Sequence, residues 1–282
     1  MNPTKHALVL FTKYPEPGLT KTRMIIENGG NLTAQEAAGL YKAMVLDTAT
    51  VALHALKNRL HEEIGADQFS FCISTPRDHM PKVREMFKEA FPTEEIDYLV
   101  DSGRNFDEHF DSCFRQLFER GYHTAVCIGG DLPGITPDLV CRAFHSLLRL
   151  DHEWQRGAMA LAPCQAGGVS LVGITSRTPI SFEGVFYNSQ GVTALDALIY
   201  IAAQKDMPVA LFEALADVDY GEDLGHMISV INAMAYASRY DKGLLVPERT
   251  LGFISQNGLA AISQPNESKD PREAIDGQHT NR

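Results

Sequence analysis

The chain has 282 residues, of which 44% are hydrophobic and 22% charged, as in ordinary globular proteins. Its net charge of −11 argues against a general nucleic-acid or anionic-membrane binder, because such proteins attract polyanions with a basic surface. The five cysteines are widely spaced without a C-x-x-C pair, which disfavours a disulfide framework or zinc knuckle. The sequence shows neither a signal-like segment nor an apolar run of about 20 residues, so we expect a cytoplasmic protein with no membrane contact.

Apolar runs alternate with amphipathic segments, which predicts an α/β protein with a mostly parallel sheet between two helical layers. The predicted strands are residues 7–12, 69–74, 124–128, 158–162, 170–174 and 208–212. The predicted helices are one that begins at a Thr33–Glu36 capping box, 80–91, 107–120, one capped by Thr136, 193–204 and 222–236. The segment 264–282 has almost no apolar residues, so we expect it to be disordered.

The loop after the first predicted strand, residues 13–23, gathers positive charge in an acidic protein. Lys13, Lys21 and Arg23 lie within it, and Gly18 would let the backbone approach a ligand closely. Ligands of parallel α/β sheets bind at the carboxyl ends of the strands, and Arg and Lys both hold phosphates. The alternative is a solvated connecting turn. The loop lacks the G-x-x-x-x-G-K-[ST] pattern, which disfavours an ordinary P-loop NTPase.

Acidic residues follow two other predicted strands. Asp131 comes directly after Gly129 and Gly130 at the tip of a buried strand, a position that suits a Mg²⁺ or Mn²⁺ ligand. A turn in which Asp131 bonds its own backbone is the alternative. Asp217 and Asp219 would share one face of an extended segment and could converge on the same cation.

Two further patterns allow structural explanations as well as functional ones. Asp219 and Glu222 have the spacing of a capping box, which needs no metal. Gly167 and Gly168 precede a predicted strand, where they indicate a bulge or a close backbone approach, with a nucleotide as one candidate neighbour.

Three segments together resemble a known family. The run L-F-T-K-Y-P-E-P-G-L-T-K-T-R-M at residues 10–24 resembles the signature F-x-K-x-P-x-P-G-x-x-K-T-R-L of small bacterial GT-A-like transferases. Residues 128–136 resemble I-G-S-D-C-P-x-L-T, and residues 217–224 resemble D-V-D-x-x-E-D-L. Such proteins include arsenosugar-biosynthesis and radical-SAM/selenodomain-associated glycosyltransferases, and are similar in fold to phospholactate guanylyltransferases. The ordered recurrence of three motifs is more specific than any one of them.

The resemblance implies a GT-A-like, three-layer α/β/α sandwich over residues 1–245, a C-terminal extension at 246–263 and the tail at 264–282. It also implies a transferase that uses a nucleotide or nucleotide sugar, a small-molecule acceptor and Mg²⁺ or Mn²⁺. Asp131 and Asp219 would bind the metal, and Lys21, Arg23 and Asp131 would be catalytic. The expected nucleotide-binding residues are Lys13, Gly18, Lys21, Thr22, Arg23, Gly129, Gly130, Gly167 and Gly168.

The sequence departs from the family pattern on the acceptor side. The family's D-G-G-Y is replaced by Ala166-Gly-Gly-Val169, its G-x-R-M segment by 106–110, and the tryptophan of its W-S-T by Tyr187. Glycosyl transfer from a nucleotide sugar is the favoured activity. Nucleotidyl transfer, with release of pyrophosphate, and nucleotide binding without catalysis are the alternatives.

Overall fold

The computed structural model describes residues 3–60 and 67–261. Seven strands make up the sheet in this part of the chain. They are β1 (Lys5–Phe11), β2 (Gln68–Pro76), β3 (Asp97–Asp101), β4 (Thr124–Gly129), β5 (Met159–Pro163), β6 (Val169–Thr175) and β7 (Val209–Leu211). The α-helices are α1 (Ala34–Ala55), α2 (Met80–Ala90), α3 (Phe106–Glu119), α4 (Pro137–Trp154), α5 (Ala194–Gln204), α6 (Gly221–Ala237) and α7 (Glu248–Gln256).

The strands form one sheet in the order β3-β2-β1-β4-β6-β5-β7. All neighbouring pairs are parallel except β4 with β6 and β6 with β5, so β6 alone runs against the others. The carboxyl ends of β1 to β4 therefore meet at the same edge as the amino end of β6. The predicted mostly parallel sheet is confirmed.

Each face of the sheet is covered by its own hydrophobic core. Leu8 and Leu10 of β1 point to the face that packs against α1, α2, α4, α6 and α7. Ala7 and Val9 point to the other face, against α3 and α5. All four are fully buried, as expected for a strand covered on both sides, and the predicted three-layer sandwich is confirmed.

The helix ends that the sequence predicted from capping residues are confirmed, because those side chains bond free backbone amides. Thr33 and Glu36 form the reciprocal capping box that begins α1, with the Thr33 amide 2.7 Å from the Glu36 Oε2. The Thr136 hydroxyl accepts from the Leu139 amide at the start of α4. Gly121 follows α3 with a φ of +84°, the left-handed conformation that glycine favours.

Two elements were not expected from the sequence. The strand β3 is only five residues long and begins and ends with aspartate, a residue that is depleted in strands. The helix α7 contains Gly252 and has no side-chain cap of its own. Its starting amides are instead satisfied from α1, by a residue 203 positions earlier in the sequence.

The C-terminal segment is attached to the sandwich through Asp47. This buried carboxylate accepts hydrogen bonds from the Thr250 amide at 2.7 Å, the Thr250 hydroxyl at 2.8 Å and the Arg249 amide at 3.2 Å. Phe253 of α7 lies so close to α1 that a Cβ on Gly39 would be 2.7 Å from its ring. These contacts attach residues 246–261 to the sandwich. The predicted domain boundary at residue 245 stays a proposal. The predicted disordered tail, 264–282, lies outside the described residues. Among the helices described, none is both long and apolar enough to cross a membrane.

We predict that Asp47→Ala lowers the free energy of unfolding by about 2–4 kcal/mol, because it leaves buried amides without an acceptor. Urea denaturation followed by circular dichroism measures the change. Arg249→Gln is the matched control, since it keeps the backbone amide bonded to Asp47, and it should cost less than about 1 kcal/mol. An unchanged unfolding midpoint in Asp47→Ala would show that α7 adds nothing to the stability of the sandwich.

Candidate nucleotide and metal site

A cavity of about 730 Å³ opens at the edge of the sheet where β1 and β4 end. Its wall includes residues 19–23 of the basic loop, residues 127–132 and Asp217 and Asp219. The amino end of β6 also reaches it through Val169 and Ser170. The position agrees with the general rule that ligands of open α/β sheets bind at the carboxyl ends of the strands.

The basic loop is folded tightly enough to fix the direction of Lys21. The Lys13 ammonium donates to the Leu19 carbonyl at 2.7 Å, and the Thr20 hydroxyl accepts from the Glu16 amide at 3.0 Å. Lys21 itself has left-handed backbone angles, φ 48° and ψ 44°, and a short 3₁₀ turn, Thr22–Met24, follows it. A lysine in this conformation is strained, and such strain is concentrated at functional positions.

The Lys21 ammonium lies between two acids that are far away in the sequence. It donates to the Asp131 Oδ2 and, at 2.7 Å, to the Asp219 Oδ1. The other oxygen of Asp219 accepts from Arg23 at 3.1 Å. Only 7% of the Lys21 side chain is exposed, so water screens these ion pairs weakly. The predicted convergence of loop and acids is present in the structure.

The pKa values of these groups reflect their crowding. Burial disfavours the charged form of Lys21, but Asp131 and Asp219 outweigh burial and raise the pKa of its ammonium. Burial would likewise raise the pKa of Asp219, yet Lys21 and Arg23 hold it below the usual value. For Asp217, burial and the charges of Asp131 and Asp219 outweigh the opposing charge of Lys21 and raise its pKa to about 6.

Gly129 and Gly130 leave the space that Asp131 requires. A Cβ on Gly130 would be 2.7 Å from the Val45 Cγ2 and 3.1 Å from the Tyr41 hydroxyl. A Cβ on Gly129 would lie 2.9 Å from a carboxylate oxygen of Asp131 itself. Both glycines line the cavity, and residues with side chains would displace its wall.

The other predicted nucleotide-binding residues divide into two groups. Lys13, Thr22 and Arg23 line the cavity. Gly18, Gly167 and Gly168 are not part of its wall. The structure gives each a conformational or packing explanation: Gly18 has a φ of +80°, and Cβ atoms on the other two would meet Thr193 and Cys164 at 2.6 and 2.5 Å.

The expected capping box of Asp219 and Glu222 is wrong. The side chain of Asp219 is directed to Lys21 and Arg23. Asp223 satisfies the free amides instead, accepting from Asp219 at 2.9 Å and from Tyr220 at 2.7 Å. The prediction failed because the helix begins one residue later, with Tyr220 at its N-cap and Asp223 as the capping acid, a pair that the usual capping-box pattern does not include.

Several cavity residues were missed at the sequence level. Tyr41 is one of them: its ring lies 5.5 Å from the Lys21 ammonium and its hydroxyl is 2.9 Å from the Thr12 hydroxyl. Asp101 and His109 were also missed, because β3 was not predicted. A helical stripe does not distinguish Tyr41 from any other core residue, so no sequence signal pointed to its role here.

The site contains the kind of ligand atoms that a divalent metal prefers, but they are not arranged as a preformed metal site. Carboxylate oxygens are the ligands that Mg²⁺ and Mn²⁺ prefer, and Mg²⁺ typically takes one or two of them with phosphate and water. Asp131 and Asp219 could supply these, once Lys21 releases them. Within residues 3–60 and 67–261, no three His, Cys, Asp or Glu side chains gather closely enough to hold a metal by themselves.

Comparison with known proteins bears on the fold of the chain. Residues 77–189 match the model of a family described as an uncharacterized protein conserved in bacteria, DUF2064. A proposed nucleotide-diphospho-sugar transferase from Desulfovibrio desulfuricans G20 has a similar structure, with a TM-score of 0.65 and 23% identity over 90% of this chain and 96% of that one. The chain has a GT-A-like fold. The fold that the resemblance implies is confirmed.

More distant structures also match this GT-A-like protein. The 4-diphosphocytidyl-2C-methyl-D-erythritol synthase of Anaerococcus prevotii DSM 20548 has a TM-score of 0.46 and 10% identity, over 82% of this chain and 97% of that one. A Mycobacterium tuberculosis H37Rv protein crystallised with manganese has a TM-score of 0.42 and 16% identity, over 80% and 98% of the two chains. No curated protein matches the chain.

We predict that Asp217→Asn stabilises the protein above about pH 6 by about 1 kcal/mol. The pKa of Asp217 is raised to about 6 in the folded state, so the folded protein holds this proton more tightly than the unfolded chain does. The group's contribution to stability is therefore largest below about pH 4 and is lost as the pH rises through 6. The asparagine variant does not carry this penalty.

Thermal unfolding from about pH 4 to pH 8, with a metal chelator present, measures the effect. The melting temperatures of Asp217→Asn and wild type should coincide at the acid end and separate above about pH 6. Asp78→Asn, which changes an exposed acid outside the cavity, should follow the wild-type curve throughout. A constant difference at every pH would contradict the electrostatic explanation.

Proposed function

We propose that this protein is a transferase that takes a group from a nucleotide-activated donor, with a nucleotide sugar as the favoured donor. The observation that carries the proposal is the contact of the Lys21 ammonium with both Asp131 and Asp219 inside a cavity at the sheet edge. The three residues come from three separate segments, and a solvated turn would not require such an arrangement. This geometry favours a working site over a degenerate one, despite the alanine at position 166.

The donor's diphosphate would lie against the basic loop. Lys21 offers a point charge and Arg23 a planar fork of donors, and both suit phosphate oxygens. About half of the Arg23 side chain is exposed, and its guanidinium lies 5.0 Å from the Tyr220 ring. The side chain can therefore turn toward a ligand without creating a void in the core. The two cations would stabilise the negative charge that develops on the departing diphosphate.

Asp131 and Asp219 would hold a Mg²⁺ or Mn²⁺ ion when the donor is present. The ion would supply additional positive charge next to the diphosphate. Without a ligand, the Lys21 ammonium neutralises the same two carboxylates. Binding of the donor with its ion would therefore move Lys21 from the carboxylates to the phosphates. The metal ion would then neutralise the carboxylates and Lys21 the phosphates, so that no buried charge is left without a partner.

Nucleotidyl transfer is the second candidate for the activity. In that reaction an NTP and a phosphorylated acceptor would give pyrophosphate, and its metal ligands could come from two distant segments, as Asp131 and Asp219 do. The products separate the two activities. Release of a nucleoside diphosphate from a nucleotide sugar supports glycosyl transfer, whereas release of pyrophosphate from an NTP supports nucleotidyl transfer.

We predict that Lys21→Met lowers the affinity for a nucleoside diphosphate in the presence of Mn²⁺ by roughly 10- to 100-fold, since a charge-assisted hydrogen bond is worth about 1.5–3 kcal/mol. Asp131→Asn should reduce the affinity for Mn²⁺ measured with the nucleotide present. Isothermal titration calorimetry with each of the common nucleoside diphosphates measures both effects.

A lysine outside the cavity provides the control for this experiment. Lys82 of α2 forms an ion pair at 3.1 Å with Glu16 of the basic loop. Its side chain is 52% exposed and does not line the cavity. Lys82→Met should bind the nucleotide as the wild type does. Wild-type protein that binds none of the nucleotides, with or without Mn²⁺, would refute the proposed function.

A further inference from the structure

A histidine–aspartate pair lies in the wall of the same cavity, on the β3 side. The His109 Nδ1 is 2.6 Å from the Asp101 Oδ1, and the Ser74 hydroxyl donates to the other oxygen of Asp101 at 2.8 Å. Asp101 is 1% exposed, whereas His109 lines the cavity and 26% of its side chain is exposed. Since the carboxylate accepts at Nδ1, that nitrogen carries the proton and Nε2 keeps its lone pair.

The electrostatic surroundings of this histidine are simple. Asp101, from β3, faces it at Nδ1. Glu108, its neighbour on α3, is already paired with Arg104 at 2.6 Å. Burial raises the pKa of Asp101, which makes this carboxylate a better proton acceptor toward Nδ1. An imidazolium formed at His109 would therefore be stabilised by a buried carboxylate in direct contact.

Aromatic rings continue the cavity wall beside His109. Phe106, Phe110, Phe186 and Tyr187 line it, and the Tyr187 ring is 5.7 Å from that of Phe106 with 70% of the residue exposed. Phe186 is held in place by Asp107 of α3, which accepts from its amide at 3.2 Å and from the Gly184 amide at 2.8 Å. Phe106 and Tyr187 thus present exposed rings near one proton-accepting nitrogen, which suits a small acceptor with an apolar face and a hydroxyl group.

The chemistry of the acceptor decides whether such a nitrogen is needed. A phosphate or carboxylate acceptor is already an anion at neutral pH and attacks without losing a proton. A hydroxyl acceptor must give up its proton as its oxygen forms the new bond, and a positioned histidine typically takes it. The two candidate activities therefore make opposite demands on His109.

We propose that His109 is the general base for a hydroxyl-bearing acceptor, with Asp101 as its positioning residue, so that the reaction is glycosyl transfer to a hydroxyl group. The proposal rests on the proposed use of a nucleotide sugar. The acceptor oxygen bonds to the anomeric carbon of the donor, and the bond from that carbon to the diphosphate oxygen breaks with its electron pair remaining on the diphosphate. The hydroxyl proton passes to the Nε2 of His109.

The test uses the full-length protein with Mn²⁺, nucleoside diphosphate sugars carrying each of the common bases, and glycerol as the acceptor probe. We expect His109→Gln to lower kcat for nucleoside diphosphate release by about 10²- to 10⁴-fold and to abolish the acidic limb of its pH profile. The affinity for the nucleoside diphosphate should change less than about twofold, because phosphate binding depends on the basic loop. Asp101→Asn should give a smaller loss of kcat.

A second histidine–aspartate pair offers a matched control. The His123 Nε2 is 3.3 Å from the Asp151 Oδ2 at the amino end of β4, outside the cavity wall. His123→Gln should leave kcat and its pH profile unchanged. If His109→Gln turns over as fast as the wild type, or releases pyrophosphate from an NTP at the wild-type rate, the general base is refuted while nucleotide binding still stands.

A spectroscopic measurement tests the pair without turnover. Long-range ¹H–¹⁵N correlation spectra of the wild type, assigned with His109→Gln, should show that the neutral form of His109 carries its proton at Nδ1 and none at Nε2. The opposite tautomer would overturn the proposal. Wild-type protein that binds no nucleotide would instead refute the proposed function, which the calorimetry detects separately.

Discussion

One buried ammonium group holds the candidate site together. Lys21 bonds both Asp131 and Asp219, and without it these two carboxylates and that of Asp217 would line the cavity at the sheet edge without this compensating charge. Removing one partner of a buried ion pair typically costs about 3–5 kcal/mol, because the remaining charge is left without compensation. The left-handed backbone of Lys21 and the two glycines before Asp131 are each locally unfavourable. We interpret them as the conformational cost of bringing Lys21 into contact with both acids.

The sequence predicted most of the sandwich because its strands and helices carry strong local signals. The buried strands β1 and β4 are continuous apolar runs, and the ends of α1 and α4 have side-chain caps that can be recognised from spacing alone. The elements that escaped prediction depend on distant partners. Among the described residues β3 is an edge strand that pairs with β2, and the first amides of α7 are satisfied by Asp47 of α1. Neither element is therefore fully explained by its own residues.

The basic loop and its two acids were predictable for a similar reason. A basic loop after a first strand and acids after later strands meet wherever the strands are parallel and adjacent in the right order. The partner of each acid was not predictable, as the exchange of Glu222 for Asp223 as a helix cap shows. The pair of His109 and Asp101 was missed because it joins an unpredicted strand to the first turn of the following helix.

The hydrogen bonds of α3 to the segment after β6 have a mechanical consequence. Asp107 and Asp111 of that helix bond backbone amides between residues 182 and 186, and the same helix carries His109. The aromatic wall and the histidine therefore belong to one rigid unit, whereas Lys21 and its two acids belong to loops anchored on β1, β4 and the start of α6. Under the proposed function, amino-acid changes on α3 would alter which acceptor fits without disturbing the residues that hold the donor, so the two specificities could diverge independently.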